Sequence, residues 1–432
     1  MQTYIDKKNS LTCLLIILFI YIASQTSGTY SLLAAPLLML YLAKRATQQG
    51  IQFNQNPALL LIVFAFIIMF FYLVMFDWIE VQPYLDVDDE SRSFVIRSGT
   101  MLLYSLMLGS FIALSVRFPY WSLKIRENCS SPRQIFVLFV IAWIPLLLNS
   151  VIYFIGYAGR DYVEVHAGGG LLQFMLKGIY LSFGAVLLIC SSAGPEEKIR
   201  FRLVLLSIGY IFVYGLFFKL RSPLIFYLLV IFFFFGERLS FRYFFLIFSI
   251  GVVFLLGVAL LRDATLVDAD DPLKAFNMLA NLGDFADTLN FAREYLHTHG
   301  PLLGQSIFGG IFGYGDSLGN EYARDVSVEY FDSGGGFGFF MFSEIAINFG
   351  FYGGMSILGL LGFFLIWLHR YRDRKLIVIF MAVTFASVLA LVRNDIGSTF
   401  RGVLYTLVAV GFVQIVINGY RPRFEKKQVL ET

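Results

Sequence analysis

Charge and the reactive side chains are scarce in this sequence. Only 15% of its 432 residues are charged, and it holds three cysteines and four histidines. Cys13, Cys129 and Cys190 fall at no metal-ligand spacing, which excludes a disulfide framework and a thiolate metal site. His166, His297, His299 and His369 form no HExxH pattern, and no Walker, Rossmann or CxxC pattern occurs. A formal net charge of +3 does not point to a nucleic-acid partner.

Apolar residues are abundant instead. With 58% hydrophobic residues, 48 phenylalanines and a mean hydropathy of +0.73, the chain has more greasy surface than a water-soluble core can hide. It therefore reads as an all-α polytopic integral membrane protein. A helix needs about 20 apolar residues to cross about 30 Å of hydrocarbon while satisfying its own backbone. About twelve segments qualify: Leu11 to Ser27, Tyr30 to Ala43, Pro57 to Asp77, Ile96 to Val116, Gln134 to Tyr157, Leu171 to Cys190, Leu203 to Phe218, Pro223 to Phe235, Tyr243 to Leu261, Phe351 to Leu368, Leu376 to Val392 and Gly402 to Ile417.

The charges alternate with these spans. Of 33 basic residues, 21 fall in short loops on the side that holds both termini, and 22 of the 30 acids fall on the other. By the positive-inside rule the termini are cytoplasmic. The long polar stretch from Arg262 to Gly350 then faces outward. The chain divides into 1–261 with nine spans, 262–350 as a large outer loop that partly folds back into the membrane, and 351–432 with three spans and a cytoplasmic tail. The first apolar segment, lacking a small-residue cleavage site, reads as a retained anchor.

Twelve basic residues break the rule, and several sit at span ends. Lys219 and Arg221 lie in FKLRSP, a short outer loop in which Ser222 can cap and Pro223 open the next helix, adding a partial positive charge beside Arg221. Arg262 stands at the mouth of the long loop, and Arg393 and Arg401 bracket RNDIGSTFR with Asp395 between them. Taken singly, each could snorkel to lipid phosphate or pair with a carboxylate. Converging, they would suit a doubly charged pyrophosphate, because arginine's planar fork matches phosphate oxygens.

Late in the long loop, GGGFGFFMFSEIAINFGFYGG joins a glycine hinge to an apolar helix. Glu344 and Asn348, spaced i, i+4, share one face of it. Glu344 reads as a buried partner for an arginine or as a catalytic base, and Gly350 and Gly354 as a close-packing GxxxG step. His297 and His299 are too closely spaced to form a helical metal pair; either is a candidate general base. The DADD run reads as a solvated acidic loop or as a divalent-cation site.

These features together resemble the Wzy-type oligosaccharide repeat unit polymerases of bacterial surface polysaccharide synthesis. The residues that carry the resemblance are FKLRSP, PLLGQS, GGGFGFF and SEIAINFGFYGG. It implies a fold like the GT-C membrane glycosyltransferases and a place in the bacterial inner membrane with the long loop in the periplasm. It implies an undecaprenyl-pyrophosphate-linked oligosaccharide as substrate, polymerised into O-antigen by glycosyl transfer. The functionally required outer arginines correspond to Arg221 and Arg262, with Arg393 and Arg401 after them, and Glu344 matches the family's glutamate.

On that reading Arg221, aided by Lys219 and Arg262, stabilises the departing pyrophosphate, and a loop carboxylate or histidine takes the acceptor's proton. Arg393, Arg401, Asp395 and Asn348 complete the substrate site, and no metal or cofactor is required. Tyr314, Tyr322, Tyr330 and Phe331 are candidate sugar-stacking platforms. Besides the bilayer and the lipid-linked substrate, the reading allows a chain-length regulator and a flippase as partners. A lipid-linked polysaccharide ligase, which uses a loop histidine, and a flippase for lipid-linked oligosaccharide are the alternatives.

Overall fold

A computed structural model describes residues 7–26, 28–52, 55–74, 88–116, 132–157, 178–192, 197–218, 222–236, 284–314, 318–326, 339–371 and 374–419. The elements among them are helical. They are α1 (Lys7–Gln25), α2 (Thr29–Gln48), α3 (Pro57–Val74), α4 (Asp89–Ser115), α5 (Pro132–Ile152), α6 (Ile179–Ser192), α7 (Glu197–Tyr210), α8 (Ser222–Phe235), α9 (Asp284–His299), α10 (Gln305–Phe312), α11 (Leu318–Val326), α12 (Met341–Leu368), α13 (Lys375–Arg393) and α14 (Ile396–Gly419).

Among the described residues, five helical stretches are long and apolar enough to cross a membrane: Asp89–Ser115, Pro132–Gly156, Met341–Tyr371, Lys375–Val392 and Ile396–Asn418. Shorter apolar helices accompany them at Thr12–Gln25, Pro57–Leu73, Ile179–Ser192, Arg202–Phe217 and Ser222–Phe235. The chain is thus an α-helical, multi-pass, membrane-embedded protein. Among the described residues, each expected span overlaps a helix except Tyr243 to Leu261, which lies outside them, as do residues 75–77 and 171–177 of two other spans.

Two compact units divide the chain. The first comprises 1–124 and 236–401, and the second 125–235 and 402–432. In the first, α4 lies against α12, and glycine sets how closely. A Cβ on Gly109 would stand 1.7 Å from the Gly359 carbonyl oxygen, and one on Gly362 would stand 2.3 Å from the Leu106 oxygen. Small residues let two helix backbones meet where hydrophobicity gives no net drive, since lipid is as apolar as leucine. Of the expected GxxxG step, a Cβ on Gly354 would stand 3.5 Å from Leu102 Cδ2 of α4, while nothing lies within 4 Å of one on Gly350.

Helix starts follow their capping chemistry. Asp88 accepts the Ser91 N–H at 2.8 Å to open α4. Asn56 accepts the Ala58 N–H at 2.9 Å, with Pro57 at the first helical position of α3. Tyr104 of α4 donates to the Ser31 carbonyl of α2 at 2.6 Å.

In the second unit a buried polar ladder joins the helices. Tyr210 donates to Ser182 at 2.7 Å, Ser182 to the Ala142 carbonyl at 2.7 Å, and Asn149 to the Tyr214 hydroxyl at 2.7 Å. Both α5 and α7 end in π-helical turns, Tyr153–Tyr157 and Ile211–Phe217, where the Tyr153 and Phe217 rings stack at 4.9 Å.

Candidate functional site

The polar core of the first unit forms where α12 is broken. Gly350 sits inside this helix at φ 71° and ψ 165°, a backbone state that only glycine adopts without strain. The helical ladder stops there, so the Ile347 and Asn348 carbonyls need outside donors. The turn between α9 and α10 supplies them: the Leu302 and Leu303 N–H groups reach those oxygens at 3.1 and 2.8 Å. Residues 341–349 thus form a short helix of their own, starting ten residues before the expected span. Phe351–Leu368 is the remainder.

Glu344 lies in the first turn of that short helix and is 1% exposed. A buried carboxylate demands donors. Three are present. Ser306 of α10 donates to Oε1 at 3.0 Å, and the backbone N–H groups of Ile396 and Gly397, the first two residues of α14, also donate to the carboxylate. Glu344 therefore caps α14 from across the fold, where unpaired N–H groups and the helix dipole favour negative charge. Arginine was the expected partner; the described partners are a hydroxyl and a helix N-terminus. These bonds tie α12 to α10 and to the start of α14.

Asn348 joins the same node, donating to the Ser306 hydroxyl at 2.7 Å and to the Glu344 carbonyl at 2.8 Å. Asp395, immediately before α14, accepts the Gly319 N–H at 3.2 Å and so ties α11 to this turn. Arg401, in the second turn of α14, packs its guanidinium on Gly313 at the end of α10; a Cβ there would stand 2.9 Å from Nη1. Glu344, Asn348 and Asp395 are thus gathered by α10, α11, α12 and the start of α14, and Arg401 meets the C-terminal end of α10.

Other expected site residues lie elsewhere. His297 and His299 are exposed in the last turn of α9, with His299 stacked on Tyr295 at 4.7 Å and its Nδ1 2.7 Å from the Thr298 hydroxyl. Arg393 ends α13, and its side chain lies outside the described residues. Lys219, Arg221, Arg262, Tyr330, Phe331, Cys129 and the DADD run also lie outside them. Tyr322 is a correction: it is buried against Phe291 and Phe339 as part of a packed core, so it offers no platform to a sugar. Tyr314 is exposed. Arg293 pairs with Glu90 at 2.9 Å and lies over the Phe94 ring, joining α9 to α4.

Three features escaped the sequence reading. Ser306 and the α14 N-terminus hold Glu344, and the PLLGQS and DIGS steps were their available signal. On the other side of the short helix, the Thr288 and Ser343 hydroxyls meet at 2.7 Å, and Thr288 accepts the Phe340 N–H at 3.3 Å. One residue earlier, Asp287 is buried in α9; burial pushes its carboxyl above the ordinary range while the Asn290 amide, at 2.8 Å, pulls it back. Among the described residues no three metal-binding side chains come together. Compared with protein-family models, curated proteins and solved structures, the chain finds no match.

Proposed function

We propose that this protein is a membrane glycosyltransferase that polymerises undecaprenyl-pyrophosphate-linked oligosaccharide repeat units on the outer face of the bacterial inner membrane, both termini lying in the cytoplasm. The observation that carries this reading is the Glu344 node. A carboxylate buried at the end of two apolar spans fastens the outer segment to the turn that bears Asp395 and is flanked by Arg393 and Arg401. An apolar bundle tolerates such polar expense where it serves a function.

The chemistry asked of the site is the displacement of a pyrophosphate. An acceptor sugar hydroxyl forms a bond to the anomeric carbon of the donor, the bond from that carbon to the pyrophosphate oxygen breaks, and undecaprenyl pyrophosphate leaves with the electron pair. Arg401 and Arg393, with Arg262, neutralise the leaving oxygens; one such preorganised group contributes about 3 to 4 kcal/mol in a dry site. The hydroxyl proton passes to a carboxylate or histidine of the stretch between Arg262 and Gly350. Glu344 and Asn348 hold the frame. The architecture is that of the GT-C class, and the product is a surface polysaccharide such as O-antigen.

The exposed histidines of α9 favour one second reading, a lipid-linked polysaccharide ligase. Deleting the gene in its own host and separating the surface glycolipids by electrophoresis distinguishes the two. A polymerase leaves lipid A-core capped with a single repeat unit. A ligase, or a flippase, leaves no capped material at all.

A further inference from the structure

α10 turns its bulky apolar side chains away from the protein. Phe308 is 62% and Phe312 64% exposed, and Leu303 just before and Tyr314 just after the helix are each 75% exposed. None of the eight residues of α10 is buried. Its other face is small and closely seated: Ser306 donates to Glu344, and a Cβ on Gly310 would stand 2.7 Å from the Gly397 Cα. Left-handed glycines at both ends, Gly304 at φ 93° and Gly313 at φ 79°, start and stop the helix abruptly.

Its level relative to the spans is fixed by those contacts. Gly397 is the second residue of α14, and the Leu302 and Leu303 N–H groups bond carbonyls just before the Gly350 break, where the apolar run of α12 begins. α10 therefore sits at the end of two spans, where hydrocarbon gives way to headgroups. Aromatic side chains concentrate at that depth because each has an apolar body and, in tyrosine, a polar tip. Past the break, α12 continues the same apolar exterior with Tyr352 and Leu360 exposed.

We infer that α10 is an interfacial helix whose Leu303, Phe308 and Phe312 insert among phospholipid acyl chains of the leaflet at the Glu344 end of the bundle, with Tyr314 at headgroup level. Inserted so, the helix keeps Ser306 and Gly310 against Glu344 and Gly397, and the bilayer surface becomes one wall of the node. The inference stands whether or not glycosyl transfer is the activity. Short amphipathic helices bind the interface in this way through buried apolar area.

The test uses the full chain in its native membrane, with p-benzoylphenylalanine placed singly at positions 308, 312, 360 and 294. Positions 360 on α12 and 294 on α9 are the lipid and water references. After irradiation, intact-mass measurement is expected to show addition of one phospholipid at 308 and 312, as at 360, and none at 294. Adducts absent at 308 and 312, or crosslinks there to a second protein chain, would overturn the inference. Should the bulky residue block accumulation, Phe308→Cys and Phe312→Cys in a background with Cys13, Cys129 and Cys190 replaced carry a nitroxide in phospholipid nanodiscs. Collision with oxygen exceeding collision with a water-soluble nickel chelate supports insertion, and the reverse order refutes it.

Discussion

The Glu344 carboxylate accepts the backbone N–H of Ile396, so a side chain in the first turn of α12 closes the start of α14. The two residues are 52 positions apart, and the bond fixes where α14 begins relative to α10 and α12. Whatever binds beside Arg401 binds to a frame set by this contact.

Removing the carboxylate leaves buried donors unpaired. Glu344→Ala is expected to lower stability by about 2 to 3 kcal/mol, the cost of stranding charge-assisted hydrogen bonds. Glu344→Gln keeps one acceptor oxygen and loses the charge at the helix end, for about 1 kcal/mol. Thermal unfolding in detergent checks the order: alanine below glutamine, glutamine below wild type. Equal melting temperatures for all three would show that the node carries no weight.

Gly350 tests the break in α12 separately from packing. A Cβ there meets nothing within 4 Å, so Gly350→Ala is penalised only through its positive φ, by about 1 to 3 kcal/mol. Gly109→Ala is penalised by overlap with the Gly359 carbonyl, for a similar or larger loss. Lowered yield and melting temperature report both. A stable Gly350→Ala protein would mean that α12 runs straight.

Asp287 yields a pH dependence. Its folded carboxyl titrates above the ordinary value because burial disfavours the anion. The sign follows from linkage: no penalty exists below the ordinary carboxylate pKa of about 4, the penalty grows as pH rises from there to the raised folded value, and it is constant above. Asp287→Asn preserves an acceptor for the Asn290 amide and removes the charge. The variant is expected to match wild type in acid and to exceed it at neutral pH. Melting curves between about pH 4 and pH 8 measure it; a variant less stable at neutral pH than in acid, relative to wild type, reverses the prediction.

The helical, membrane-embedded class was legible because apolar run length reports it directly. So was the shared face of Glu344 and Asn348, a matter of helical spacing. The partner of Glu344 was not, because a helix N-terminus and an arginine satisfy a carboxylate equally well on paper, and the choice depends on which distant turn folds back. Tyr322 looked like any tyrosine of a polar loop. Its burial comes from Phe291 and Phe339, brought together by tertiary packing that local pattern does not encode. The helix carrying Glu344 and Asn348 was legible, but the break at Gly350 was not, because a glycine in a GxxxG step reads as packing. The short helix before the break is buried against α9, where Thr288 meets Ser343.

Glycosyl transfer at the Glu344 node is tested most directly with purified protein in phospholipid vesicles and the lipid-linked material that the deletion strain accumulates. The account predicts that wild type converts this material into a ladder of polymers on a carbohydrate gel. It predicts that Arg401→Ala slows the conversion by roughly a hundredfold or more, as expected for loss of one oxyanion-stabilising group. Lipid-linked material left unchanged by wild-type protein, or a ladder formed equally fast by Arg401→Ala, would contradict it.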